Sequence, residues 1–564
     1  MSSLPKRDNL VLTIIFILPI NEQPLAKIAI HKTVIALNES ASIRSSPLLL
    51  GVEEDDDHID WLNIDLEYPE PSIDDWVGIF SPAKLNASDC SSEAGEWPEN
   101  PTLCTAPIKY KFAYQSSADY VKTGKAKVTF RIINQRSNFA FAFFTGGLET
   151  PKLVAVSNPM SFPNPKAPLY PRLAHGKAWD EMTVTWTSGY NIDEATPLVE
   201  WGLKGQTKKL SPAGTLTFTR GSMCGPPART VGWRDPGFIH TSFLKDLWPN
   251  TMYEYRMGHM LLNGSIIYSK IYTFKSSPYP GQDSLQRVII FGDMGKAERD
   301  GSNEYENYQP GSLITTDQLI SDLDNYDIVF HIGGLPYASG YLSQWDQFTE
   351  QVEPISSVKP YMIASGNHER DFPNSGSFYD TLDSGGECGV LAQTMYYVPA
   401  DNRAKFWYAT DYGYSSNSWL ADEGAFEEPM GRANLQKLWQ KYKVDIALYG
   451  HVNNYERTCP IYQNKCVNSD ISRYSGTVNG TIHVVVGGGG SRLSNFTEIN
   501  TFWSLYKDQD WGFVKLTAFN HSSLLFEYKK SSDGLVYDSF TISRDYKDVL
   551  ACVHDGCEPT TLAT

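Results

Sequence analysis

Short runs in which apolar and polar residues alternate fill the first half of the chain. Val128 to Ile133 shows this period of two, and Pro69-Glu70-Pro71 breaks such a run. From about Lys27 to Gly146 the pattern predicts one β-domain, with the acidic stretch Val52 to His58 as a solvated loop. A proline-rich linker follows, holding Pro159, Pro163, Pro165, Pro168 and Pro171. A second β-pattern then runs through Met182 to Trp186, Val199 to Trp201 and Tyr253 to Tyr255. Its roughly 110 residues and core tryptophans predict a fibronectin-like or Ig-like sandwich.

After Pro280 the period changes. Arg287 to Phe291 reads as a continuous apolar strand, Leu313 to Leu323 as a helix, Asp327 to Ile332 as a strand, Tyr341 to Val352 as a helix and Tyr361 to Ala364 as a strand. Strand and helix in alternation predict a largely parallel sheet with its chemistry at the strands' carboxyl ends. Later, Arg432 to Tyr442 reads as a helix, Val444 to Tyr449 as a strand, and Thr481 to Val486 as a strand leading into Gly487-Gly488-Gly489-Gly490. No Lys-Ser/Thr follows those glycines, which favours a tight turn beside the site over a nucleotide loop. The expected divisions are 1–26, a leader; 27–158, an N-terminal β-domain; 165–280, the fibronectin-like domain; 285–480, an α/β domain; 481–545, a carboxyl-terminal region; and 546–564, a tail.

Composition narrows the partners. Across 564 residues, 48 Lys and Arg stand against 65 Asp and Glu, a formal charge of −17. Such a surface repels phosphate backbones, and no basic cluster offsets it, which argues against nucleic-acid or anionic-membrane partners. Lys6 and Arg7 precede an apolar run from Leu10 to Leu18, the order of a secretory leader and too short to span a bilayer. Six Asn-x-Ser/Thr sequons, at Asn38, Asn86, Asn263, Asn479, Asn495 and Asn520, are glycosylation candidates if the chain enters the secretory pathway. Eight cysteines without a CxxC pair suit disulfides, and close spacing suggests Cys90 with Cys104, Cys459 with Cys466, and Cys552 with Cys557, although spacing does not fix connectivity. A secreted, extracellular address follows.

Three strand ends deliver polar clusters: Gly292-Asp293-Met294-Gly295, Gly366-Asn367-His368-Glu369 and Gly450-His451-Val452-Asn453. An Asp, an Asn-His pair and a His, each behind a glycine, are ligand types for a hard or borderline metal ion. With these residues the sequence resembles the calcineurin-like metallophosphoesterases, and among them the large, two-sandwich plant purple acid phosphatases, in the subgroup labelled "probable inactive". Tyr68-Pro69-Glu70-Pro71, Asp75-Trp76-Val77-Gly78 and the stretch Phe513 to Ser539 extend the likeness over nearly the whole chain.

The resemblance implies N-terminal β-sandwich domains followed by an α/β metallophosphoesterase domain. It also implies hydrolysis of small phosphate monoesters at acidic pH by a ferric ion paired with zinc, manganese or ferrous iron. Carried over motif by motif, Asp293 and Tyr337 become ligands of the ferric ion, and Asn367 and His451 ligands of the divalent ion. His368 becomes the substrate-facing acid, and a homodimer is the assembly it suggests. The departures are equally specific. Where the family has Gly-Asp-x-x-Tyr this chain reads Gly333-Gly334-Leu335-Pro336-Tyr337, and where it has Gly-His-x-His this chain reads Gly450-His451-Val452-Asn453. Asp411-Tyr412-Gly413 also runs straight into Tyr414-Ser415, where relatives place a strand-helix-strand unit bearing a further histidine. Three of the family's seven ligands are therefore missing, so activity is expected to be impaired; the alternative is a non-catalytic secreted glycoprotein on the same scaffold. Apolar faces beside the join at Gly413 are expected to be uncovered.

Overall fold

The computed structural model describes residues 33–47, 49–51, 58–85, 102–103, 105–279, 284–303, 309–377, 380–402, 407–411, 417–421, 432–463, 465–496, 501–520 and 522–544. The leader, Asn86, Cys90, Cys104, Cys552, Cys557, most of the acidic run at 52–57 and the Gly413–Tyr414 join lie outside them.

Alternation builds the first sandwich. In the strand Ile59–Glu67, Leu62, Ile64 and Leu66 are buried while Trp61, Asn63 and Asp65 face out. The strand pairs antiparallel with Lys125–Ile133 from Ile59↔Ile133 to Glu67↔Lys125. This three-stranded sheet packs its apolar face on a six-stranded one through Val128, Phe130, Phe141 and Phe143. Beneath that second sheet Trp76 stacks on Phe144 with ring centroids 4.0 Å apart. Each fully buried aromatic of this kind contributes roughly 1.5–3 kcal/mol. The second domain folds eight strands around Trp186, Trp201, Tyr255 and Phe274.

The third unit holds two facing sheets. In one, Gln286–Phe291, Ile328–Ile332 and Tyr361–Ala364 run parallel, as the alternating pattern requires. Gly512–Asn520, Ser523–Lys530 and Val536–Ser543 extend it antiparallel from the Gln286–Phe291 edge, and Arg473–Ser475 closes the far edge parallel to Val536–Ser543. The helices Pro310–Ser321 and Ser343–Ser356 supply the crossovers. In the other sheet Ile446–Tyr449 runs parallel to Thr481–Val486, which pairs antiparallel with Tyr455–Tyr462. Val484, Val486, Phe513 and Phe526 belong to the one core that fills the space between.

Among the described residues Ile446–Tyr449 pairs on one side only. Leu438, Tyr442, Tyr449 and Val452 near that edge are exposed. Two disulfides are present among the described residues: the Cys459–Cys466 link anticipated from spacing, and Cys224–Cys388, which ties the second domain to the third across 164 residues of sequence. No helix among the described residues is long and apolar enough to cross a membrane.

Candidate active site

Each parallel strand ends in a glycine-led turn that throws a polar side chain inward. Asp293, Tyr337 and His451 all adopt left-handed backbone, with φ of +58°, +52° and +72°. Such conformations are uncommon outside glycine and concentrate where a site dictates side-chain direction. The turns bind one another directly: Asp293 N–H donates to Gly333 O at 2.8 Å, Gly292 N–H to Val486 O at 2.9 Å, and Gly489 N–H to Gly292 O at 2.9 Å. The four glycines are thus pressed against the Asp293 loop, beside the site as expected, in bent backbone rather than a hydrogen-bonded tight turn. A side chain at Gly487 would place its Cβ 2.8 Å from Asp293 Oδ2.

The structure brings together Asp293, Tyr337, Asn367, His368 and His451. Tyr337 donates its hydroxyl to Asp293 Oδ1 at 3.0 Å, and the His451 backbone N–H donates to Asp293 Oδ2 at 2.5 Å. His451 Nδ1 lies 3.1 Å from Asn367 Oδ1, and the Tyr337 and His368 rings sit 4.1 Å apart. Burial pushes the Asp293 carboxyl up to about 7, although both hydrogen bonds pull it down. Burial and the Asp293 charge hold the Tyr337 phenol well above its ordinary value, so it stays protonated and donates. His368 is pushed down to about 4, chiefly by burial, with Asp383 opposing.

Three carboxylates that sequence motifs left without a role support this cluster. Glu369 accepts from Gly334 N–H at 3.1 Å, Leu335 N–H at 2.7 Å and Gly366 N–H at 2.8 Å, joining two site turns. It stands inside the Gly366–Glu369 motif, which was the available signal. Asp383 accepts from Asn367 Nδ2 and Thr381 Oγ1, both at 2.8 Å, and so fixes which way the Asn367 amide faces. Glu387 accepts from Gly340 N–H and Trp345 Nε1–H, both at 2.8 Å. The last two sit in an irregular loop whose sequence carries no recognisable spacing. Asp327, six residues before Gly333, is bound to Arg287 at 2.9 Å at the far end of its strand and takes no part.

The degraded positions are as informative as the filled ones. Gly334 has φ +64°, and a Cβ there would lie 2.5 Å from Asp293 Oδ1 and 2.7 Å from Asp293 Cα. The cluster has closed over the place where the family's bridging carboxylate would root. Asn453 donates Nδ2 to Arg492 O at 2.9 Å, and its buried Oδ1 has no partner. Among the described residues no group of three or more His, Cys, Asp or Glu is placed to hold a metal ion. A ferric and a divalent ion carry five positive charges, against one carboxylate and one phenol here. An orphaned amide oxygen is a weak donor to a ferric ion. These residues do not fit a two-metal centre.

Restoring the acid alone is therefore expected to harm the fold. Gly334→Asp should lower stability by about 2–4 kcal/mol, from overpacking against Asp293 and a second carboxylate beside it. Denaturant unfolding checks this, and an unchanged midpoint would show that the cluster opens freely.

The pH dependence has a definite sign. Asp293, at about 7, and Glu387, pushed up by burial to about 8, are raised by folding. Their stabilising contribution is full below the unfolded values near 4 and is lost as pH rises through 7 and 8. Burial lowers His175 and His259 to about 4 and His240 and His331 to about 3. Their contribution is full above about pH 6.5 and is lost as pH falls. Between pH 7 and 8.5 the loss from the two acids outweighs the little that the histidines still gain, so unfolding free energy should fall by about 1 kcal/mol over that window. Denaturant titrations at the two pH values check it; a rise would reverse the assignment.

Comparison with known proteins follows the same outline. Residues 43–164 match the family model for the Fn3-like domain from purple acid phosphatase, and 168–276 the purple acid phosphatase N-terminal domain. Residues 286–455 match the calcineurin-like phosphoesterase, and 480–539 the iron/zinc purple acid phosphatase-like protein C. The chain is 62% identical to "Probable inactive purple acid phosphatase 27" of Arabidopsis thaliana, with 96% of each chain covered. It is 63% identical over 349 residues to a Hordeum vulgare protein named "Nucleotide pyrophosphatase/phosphodiesterase", spanning 54% of this chain and 95% of the other. The solved structure of purple acid phosphatase PPD1 from yellow lupin seeds aligns with TM-score 0.85 and 60% identity, covering 93% of this chain and 100% of that one. The Arabidopsis alignment runs over 590 positions, whereas 96% of 564 residues is about 541, so about 49 positions lack a residue here. That deficit has the size of the unit expected to be missing between Gly413 and Tyr414. The chain belongs to the purple acid phosphatase family.

Proposed function

We propose that this chain is a secreted glycoprotein that keeps the phosphoester-facing cleft of its family while hydrolysing phosphate monoesters poorly. One observation carries the reading: Gly334 brings no carboxylate, and Asp293 and the Tyr337 ring fill the space one would need. Asp293, Tyr337, Asn367 and His451 are the remnant of a ligand set, and His368 is the remnant of a substrate-facing acid. With His368 held near 4, its ring is largely neutral at pH 5 and has little proton to give a leaving group.

Two disulfides support an oxidising, extracellular address, as do the exposed positions of Asn38, Asn263, Asn479, Asn495 and Asn520. The substrate class is a small phosphate ester, and the name of the barley relative favours including a phosphodiester. The test is hydrolysis of an aryl phosphate and a bis-aryl phosphate at about pH 5 by purified chain, with metal content measured in the same sample. Rates near background support the proposal; robust turnover of either ester overturns it.

A further inference from the structure

We propose that the first domain is an internal clamp on the candidate site, with Lys109 as the positioning residue that holds the loop leaving Asp293. That loop carries Lys296, Glu298 and Asp300, and the strand Lys109–Phe112 of the first domain lies across it. Lys109 Nζ reaches Glu298 Oε2 at 2.7 Å and Asp300 Oδ2 at 2.9 Å, and Lys296 Nζ approaches Glu298 Oε1 at 3.3 Å. All four side chains are at most 3% exposed, so two ammonium groups and two carboxylates form a buried quartet between domains, and the Lys111 ammonium donates to the Asp300 carbonyl beside it. The backbones are tied as well. Tyr110 N–H donates to Asn303 O at 3.0 Å, Asn303 N–H donates back to Tyr110 O at 2.8 Å, and Arg131 N–H donates to Asp300 Oδ2 at 2.7 Å.

The same domain grips the element that follows Tyr337. Arg136 makes two bonds to Asp346, at 2.9 and 2.8 Å, and Arg131 makes two to Glu350, four residues further along the helix Ser343–Ser356. Between these two anchored segments lie the contacts that set the site's spacing: Asp293 N–H to Gly333 O and Gly295 N–H to Gly334 O at 3.2 Å. A buried ion cluster contributes little net stability but fixes one arrangement, because removing one partner strands the opposite charge away from water. The clamp thus acts on geometry, and it holds whether or not the site turns over substrate.

Hydrogen exchange on the full-length Lys109→Met chain tests it. Exchange at Asp293, Gly295 and across 294–303 should rise on the order of a hundredfold. Protection in the second-domain strands Met182–Ser188 and Met252–Leu261 should stay at the wild-type level. Should that variant fail to fold, Asp300→Asn, which removes one charge of the quartet, is read in the same way. Wild-type exchange across 294–303 in a folded variant, or an equal rise in all domains, overturns the clamp. The measurement reads backbone amides and not turnover, so its failure is distinct from failure of the proposed function.

Discussion

Aryl phosphate hydrolysis at about pH 5 is expected to run at least a thousandfold below that of a family member with a complete ligand set. Two cations ~4 Å apart repel by ~4 kcal/mol per unit-charge product at an effective dielectric near 20. A trivalent and a divalent ion multiply that by six, and anionic ligands between them must offset it. Here the bridging position is Gly334, with no room for a side chain, and Asn453 offers an amide where the family has an imidazole. Losing a single outer partner of a metal site commonly costs ~10–100-fold. The three first ligands expected to be missing should compound beyond that. Gly334→Asp combined with Asn453→His should fail to recover turnover, because the histidine expected in the missing unit is still absent. Recovery by the pair alone would show that the deficit of about 49 positions is immaterial to the site.

Replacing Glu369 with alanine is expected to destabilise the third unit by about 3–6 kcal/mol. Its carboxylate holds three backbone N–H groups from two turns, and each donor left without a partner costs ~1–3 kcal/mol. The damage should be local first. The Gly333–Pro336 turn loses two bonds and Gly366 one, so protection there should vanish before the sandwich domains respond. Glu369→Gln keeps one accepting oxygen and should recover part of the loss. Thermal unfolding with hydrogen exchange over 333–337 reads both, and a loss below 1 kcal/mol for the alanine variant would mean that the turns hold themselves.

Much of this architecture was legible in the sequence where the signal is local. Tyr361–Ala364 and Thr481–Val486 have the expected bounds, because each is an apolar run closed by polar or glycine residues. The helix expected at Tyr341–Val352 spans Ser343–Ser356, running through Pro354 because its buried face continues past Val352. The helix expected at Leu313–Leu323 starts earlier, at Pro310, where proline suits a first turn. What could not be read is non-local. The antiparallel half of the main sheet depends on Gly512–Asn520 pairing with a strand more than two hundred residues away. Cys224 and Cys388 have no spacing that would join them, and Lys109 looks like any strand lysine until Glu298 and Asp300 fold onto it.

The same division holds within the site. Asp293, Asn367, His368 and His451 stand in glycine-led motifs at strand ends, whereas Tyr337 was singled out only by the family resemblance. Asp383 and Glu387 were missed because a loop contact has no period. The closure of the cluster over Gly334 was also beyond the sequence, since it follows from where Asp293 and the Tyr337 ring come to lie.

The decisive measurement is the metal content of the chain expressed with iron, zinc and manganese supplied, taken with its visible absorption. Fewer than two ions per chain and no tyrosinate-to-iron colour are the predicted result. Two ions per chain in a purple sample would contradict the account.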